Sequence, residues 1–279
     1  SEEFIDDARE PDFGTYNSLF GLILSSSLAF LLVFRLNRSA ERYWAARMSW
    51  GIIIASSRTL VEGVLVHARH DPKNRDQVIR WTAAFSIILT HFMRGIPKLD
   101  PGTLLGILDD AEIRQLDTMS HPPLSATKKI RAFLRDIFFF DETTPLAIAL
   151  GRSQRMDALE KELNILILHM GALERIKSSP LPLVYVTHLR TFLLCFLLGL
   201  PYIWGEAMGY ATIPVTILTA FALLGLEGAA TEVEAPFEKH RTNHLNMSSY
   251  CLVLLKNLTQ QIQEDADEAL LTGRVRVPS

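Results

Sequence analysis

The apolar and polar positions of this chain separate into a few long uncharged runs and several mixed ones. The first uncharged run is TYNSLFGLILSSSLAFLLVF, residues 15–34. Charge returns at once in RLNRSAERYWAARMSW, where Arg35, Arg38, Arg42 and Arg47 are interleaved with aromatic residues. An uncharged helix of that length, rising about 1.5 Å per residue, reaches roughly 30 Å, the hydrocarbon thickness of a bilayer. No Pro or Gly interrupts from Leu22 to Trp50. The pattern therefore predicts a membrane helix that continues into an arginine-rich helix outside the bilayer. Basic residues just past a spanning segment mark the cytoplasmic side or its organellar equivalent.

Apolar residues at helical spacing (Trp50, Ile53, Ile54, Leu60, Val61) carry this helix on to His67 and His70, where Asp71-Pro72 stops it. A helix follows over 76–93; its uncharged part, Trp81 to Thr90, is too short to span and reads as buried or interfacial. The stretch 96–101 reads as a turn-rich break. A short acidic helix and a Pro loop are predicted within 108–123, a helix over 124–140, an amphipathic helix within 146–173 and a loop over 176–182. Two more uncharged runs, 191–205 and 207–226, form the second membrane region. Pro201 is expected to kink or end the first of them, and Glu206 to cap a brief turn. The tail carries one more amphipathic helix, 245–271.

The predicted organisation is all-α and integral to a membrane. It comprises an acidic extramembrane segment 1–14, membrane helices 15–34, 183–205 and 207–227, a helical soluble-side domain 35–182 and a soluble-side helical tail 228–279. The last two spans make a hairpin, so 35–190 and 228–279 share one compartment and the acidic N-terminus stands alone opposite. A further membrane helix ahead of residue 1 is the simple expectation.

Composition agrees. The chain is 48% hydrophobic yet 21% charged over 279 residues, a balance suited to a protein part membrane and part soluble. A net charge of -3 gives no footprint for nucleic acid. Cys195 and Cys251 lack metal-ligand spacing, and Cys195 reads as a small apolar residue. Residues 1–14 lack the basic start of a signal peptide. No phosphate loop, nucleophile elbow or paired metal cysteines point to an enzyme. His67 and His70 share a helix face, which is too small a ligand set for a metal. Glu227, Glu232 and Glu234 close the last span. They read either as a helix end satisfied by backbone and Arg groups or as a proton or cation site, since acids at membrane depth are costly.

The first span carries a sharper pattern. Ser26, Phe30 and Phe34 recur every four residues, drifting about 40° per step around the helix. With Ser25 and Ser27 they suit a helix-packing face, where small residues let helices approach. The functional alternative is a pore lining, in which rings of Phe from several subunits gate by dewetting and their positive edges tolerate anions. Arg35, Arg38 and Arg42 would then concentrate anions near the mouth; alternatively they anchor the membrane flank and pair with acids such as Glu41.

Three segments together resemble the bestrophin family. FRLNRSAERYWAARMSWG with SSRTLVEG is similar to its Arg-aromatic-Trp element. GALERIKSSPLPLVYVTHLRTFLLCFLLGLP is similar to its approach to the third membrane helix. GLEGAATEVEAPF with NHLNMSSYC is similar to the segment after the fourth. The resemblance implies a homopentameric, chloride-type anion channel in a lipid bilayer, with the pore on the five-fold axis and an extra first membrane helix. It places the pore neck at Phe34, Phe30 and Ser26, counted back from Arg42, with Ser26 standing where the family has a large apolar residue. It places the lower aperture near Gln154. Animal members grip Ca²⁺ with an acidic run here replaced by APFEKHRTN, residues 235–243, where Glu232, Glu234 and Glu238 are opposed by Lys239 and Arg241; no animal-type Ca²⁺ site and no other cofactor are expected. The pattern is closer to the bacterial and plant-thylakoid voltage-dependent branches, which makes a thylakoid one candidate membrane. A coupled transporter or a non-conducting scaffold on the same helices is the alternative function.

Overall fold

The computed structural model describes residues 13–141, 143–238 and 244–271. Nine α-helices lie within them: α1 (Phe13–His67), α2 (Pro72–Met93), α3 (Pro101–Leu104), α4 (Asp110–Asp117), α5 (Pro122–Ile137), α6 (Leu146–Ser178), α7 (Leu183–Met208), α8 (Thr212–Glu234) and α9 (Met247–Leu271). Among the described residues there is no strand. Of the acidic segment predicted over 1–14, only Phe13 and Gly14, at the start of α1, fall within the described residues. Lys239, Arg241 and the tail beyond Leu271 lie outside them.

Local chemistry sets the helix ends. The Asp71 carboxylate accepts from the Asn74 backbone N–H at 3.2 Å, and Pro72 fills the first helical position, where its missing N–H costs nothing. Before α4, the Glu112 carboxylate reaches back to the Asp109 N–H at 2.9 Å. Pro122 and Pro123, expected in a loop, instead open α5. His121 Nδ1 accepts from Leu124 N–H at 3.2 Å, and its Nε2 pairs with Glu174 at 2.7 Å. Helix α6 runs on to Ser178, past the start of the expected loop, and stops only where Pro180 and Pro182 remove donors.

The largest correction is in the second membrane region. Pro201 lies inside α7, which continues to Met208, and Glu206 is a helical residue rather than a turn cap. Proline is tolerated in membrane helices because neighbouring groups satisfy the freed carbonyl. The turn is made three residues later by Gly209, whose φ of +52° only glycine adopts at little cost. Helix α8 in turn extends past 227 to Glu234.

The chain divides into two compact units at 44/45 and 178/179, against 34/35 and 182/183 read from the charge pattern. In the unit formed by 45–178, 237–238 and 244–271, α2 is the centre. It packs on α5, α6 and α9, and its uncharged stretch is buried in protein. Three hydroxyls inside that stretch return to their own helix: Thr82 to Val78 O at 2.7 Å, Ser86 to Ala83 O at 3.0 Å, Thr90 to Ser86 O at 3.0 Å. A helix surrounded on all sides can thereby bury hydroxyls without leaving a donor unmet. Cys251 joins them, donating to Ser86 O at 3.3 Å, and burial pushes its thiol pKa up. Ile54, Val61, Leu65, Ile79, Ala83, Leu254 and Leu258 form the adjoining apolar cluster.

Gly63 gives this unit a close contact, because a Cβ there would stand 2.6 Å from Leu159 Cδ2. Leu159 is buried, so its methyl must shift among packed neighbours to make room. Gly63→Val is expected to cost about 1–3 kcal/mol through overpacking, read as a lower melting temperature of the detergent-purified protein; an unchanged melt would show that the site relaxes.

The other unit takes the first part of α1 with α7 and α8. Leu28 and Leu32 pack on Leu189, Leu193, Phe196 and Leu200 in a dry cluster. Among the described residues two helical stretches, Gly21–His67 and Leu183–Glu234, are long and apolar enough to cross a bilayer.

Candidate functional site

Helix α1 has two faces in the membrane unit. Leu28, Leu32, Arg35 and Ser39 recur at alternating spacings of four and three residues and are buried. At about 100° per residue, Ser26 and Phe30 lie about 160° around the helix from Leu28, and Phe34 about 120°. They are exposed: Phe30 by 70% and Phe34 by 42%, and Ser26 with them. So the line expected from spacing lies outside the buried stripe of α1, with Phe34 at its edge. The Ser26 hydroxyl donates to Ile23 O at 3.0 Å and Ser25 to Leu22 O at 3.0 Å, which satisfies these donors within the helix.

Phe34 sits among aromatic and cationic neighbours. Its ring stacks on Phe30, with centroids 6.4 Å apart and planes at 21°. Tyr185 of α7 meets it edge-on at 6.5 Å and 80°. The Arg38 guanidinium carbon lies 5.0 Å from its centroid.

The three arginines expected at an anion-attracting mouth have different fates. Arg35 is buried within the chain: its side chain is 0% exposed. Nη1 donates to Glu227 Oε1 at 2.6 Å, and Nη2 to Thr231 Oγ1 at 3.1 Å and to Glu234 Oε2 at 3.5 Å. The cause is helical phase, since Arg35 shares the stripe of Leu28 and Leu32 and must meet α7 and α8. Arg42 is also turned inward. Its Nε donates to Glu234 O at 3.3 Å and its Nη1 to Ser179 O, so it satisfies an end carbonyl of α8. Arg38 is exposed, by 52%, and pairs with Glu41 at 2.9 Å.

Glu227 is the hub of a charged collar that the spacing did not reveal. Its Oε1 accepts from Arg35, from Arg190 Nε at 2.6 Å and from Thr231 Oγ1 at 3.1 Å. Thr231 Oγ1 in turn accepts from Arg190 Nη2 at 3.1 Å. A carboxylate near membrane depth is tolerable when guanidinium groups compensate it. Between the two readings of the acidic cluster, Glu227 and Glu234 follow the structural one, a helix end held by arginines. The signal for Arg190 was its position beside an uncharged run, and Tyr185 gave none beyond being aromatic.

Gln154 lies exposed on α6, in the other unit. There too His70 Nε2 engages Ile137 O at 3.0 Å, so one of the two histidines considered for a metal has a structural bond. Among the described residues no cluster of three or more His, Cys, Asp or Glu is placed to hold a metal ion.

A family profile described as Bacterial/Fungal Bestrophin protein matches residues 8–260, nearly the whole chain. The chain belongs to the bestrophin family. Among its relatives is a voltage-dependent anion channel-forming protein of Nostoc sp., 28% identical over 244 residues that cover 86% of this chain and 76% of that protein. Another is a protein of the same description from Synechocystis sp., 28% identical over 248 residues, 87% of this chain and 76% of that one. Arabidopsis thaliana has a chloroplastic voltage-dependent chloride channel 25% identical over 245 residues, 86% of this chain and 55% of that one. A solved bacterial bestrophin homolog from Klebsiella pneumoniae superposes with a TM-score of 0.76 at 23% identity, covering 87% of this chain and 86% of that one. The bestrophin fold, all-helical with membrane-spanning helices, is therefore that of this chain, and the chain is a membrane protein.

Proposed function

We propose that the chain forms a passive, chloride-type anion channel, built as a homopentamer in a lipid bilayer and without enzymatic activity. The observation that carries this reading is the exposed line Ser26, Phe30, Phe34 on the face of α1 turned away from its packing partners. Copies of that line around an axis make a narrow apolar neck that closes by dewetting, and ring edges carry the partial positive charge an anion prefers. Ser26 makes one ring wider and wetter. The names of the cyanobacterial and chloroplast relatives support an anion as the permeant ion.

Arg38 is the anion-attracting residue at the mouth, while Arg35 and Arg42 hold the surrounding helices. Gln154 is the residue of the lower aperture. Ca²⁺ is not needed for opening: the carboxylate of Glu234 is engaged by the Arg35 guanidinium, and Lys239 and Arg241 oppose any hard-cation site in the sequence that follows.

The test is the purified protein in a planar bilayer under a chloride gradient. Unitary currents reversing at the chloride potential, from a five-fold particle with Phe34 facing the axis, are the expected result. Flux without unitary steps that depends on a second substrate, or phenylalanines turned to lipid, would overturn the reading.

A further inference from the structure

We propose that Tyr185 is the positioning residue of the Phe34 ring, fixing the direction in which α1 presents it to the ion path. The proposal rests on the neck reading above. Among the described residues three aromatic or cationic groups meet the Phe34 ring, and they differ in where they are attached. Phe30 and Arg38 are on α1 itself, four residues away on either side, so they move with the helix and give its ring no external reference. Tyr185 comes from α7 and meets the ring edge-on, the geometry that aromatic quadrupoles favour.

Tyr185 is itself held twice. Its hydroxyl donates to the Leu31 carbonyl oxygen at 3.3 Å, and its ring packs against the cluster of Leu28, Leu32, Leu189 and Leu193. Leu31 lies one turn before Phe34 on α1. A single side chain of α7 thus grips the backbone of α1 at one point and a neck ring at the next. Rotation of α1 against α7 breaks the hydroxyl contact, and departure of the Phe34 ring from its rotamer breaks the edge contact. Tyr185 opposes both movements. Its role is to set how often and how far the neck ring moves, without itself touching an ion.

The experiment combines bilayer currents with a local probe on the full chain. Wild type, Tyr185→Leu, Tyr185→Phe, Phe34→Ala and the double variant Tyr185→Leu/Phe34→Ala are compared for current at fixed voltage and for anion permeability ratios. In parallel, 4-fluorophenylalanine at position 34 reports the ring's environment by fluorine NMR. Tyr185→Leu is expected to change current in the same direction as Phe34→Ala, by roughly two- to tenfold, the range that one aromatic pair supports. Tyr185→Phe, which keeps the edge, is expected to retain the permeability ratio and the fluorine signal. The double variant is expected to match Phe34→Ala, since a positioning residue has nothing left to position. Should Tyr185→Leu fail to assemble, Tyr185→Met, an unbranched and adaptable apolar side chain without a ring edge, carries the same test. Additive effects in the double variant, or a fluorine signal indifferent to residue 185, would overturn the proposal. If Phe34→Ala leaves the currents unchanged while Tyr185→Leu still frees the ring, positioning stands and the neck assignment falls.

Discussion

Glu227→Ala destabilises the membrane unit by about 3–5 kcal/mol, the cost of leaving a buried charge without its partner. Two guanidinium groups converge on one oxygen of this carboxylate, both at 2.6 Å. Removing it leaves Arg35, with no exposed side-chain surface, with the Thr231 hydroxyl at 3.1 Å and the more distant carboxylate of Glu234 at 3.5 Å. Arg190 is half-exposed and can turn to water; Arg35 cannot. The reverse substitution is milder: Arg35→Ala leaves Glu227 paired with Arg190 and bonded to Thr231. The paired replacement Arg35→Met with Glu227→Leu should recover much of the loss, because apolar groups of similar volume remove both desolvation costs at once. Melting curves of the detergent-solubilised protein check this. The expected order is wild type, double variant, Arg35→Ala, Glu227→Ala, from most to least stable. A Glu227→Ala melt indistinguishable from wild type would show that the collar contributes nothing to stability.

Phe34→Ala is expected to raise the current through the reconstituted protein at a voltage where wild type is mostly closed. The ring is one of the two bulky groups in the exposed line, and its removal both widens the constriction and lets water remain in it. A rise of roughly tenfold corresponds to a barrier lowered by about 1.4 kcal/mol, a modest demand for deleting one aromatic ring from every copy. Phe34→Trp should act the other way, and Ser26→Phe should tighten the ring that is now polar. The Phe34 variants change the melt far less than the Glu227 variant does, since Phe34 is not a member of the buried cluster of α1 and α7 and loses only its edge contact with Tyr185. Currents indifferent to all three substitutions, in protein that still conducts, would remove Phe34 from the gate.

These two effects differ in how far the amino-acid pattern alone reached them. The line of Ser26, Phe30 and Phe34 was visible because every-fourth-residue spacing is a property of one helix, independent of what surrounds it. The same periodicity contains the burial of Arg35, which follows Leu28 and Leu32 on one stripe. Grouping the arginines by sign hid that phase: Arg35, Arg38 and Arg42 are adjacent in charge pattern, but Arg35 and Arg42 turn inward to Glu234 while Arg38 is exposed. Pro201 misled for a related reason. Proline breaks an isolated helix, yet a membrane helix packed against neighbours carries it, and the glycine three residues past Glu206 makes the turn. The proline pair at 122–123 reads as loop or as helix start according to whether a cap stands before it, and His121 is an unusual cap.

Periodicity and charge thus sufficed for the all-helical class, the membrane stretches and the line of α1, and short motifs sufficed for the resemblance to bestrophins, because each depends on residues close together in the chain. Which acid neutralises which arginine, and which ring leans on Phe34, depended on bringing residue 35 to residue 227 and residue 34 to residue 185. Helical phase limits those pairings to a stripe on each helix. Only the packed arrangement of α1, α7 and α8 selects one, since a buried guanidinium and a T-shaped ring pair both require distances that no spacing along a single chain specifies.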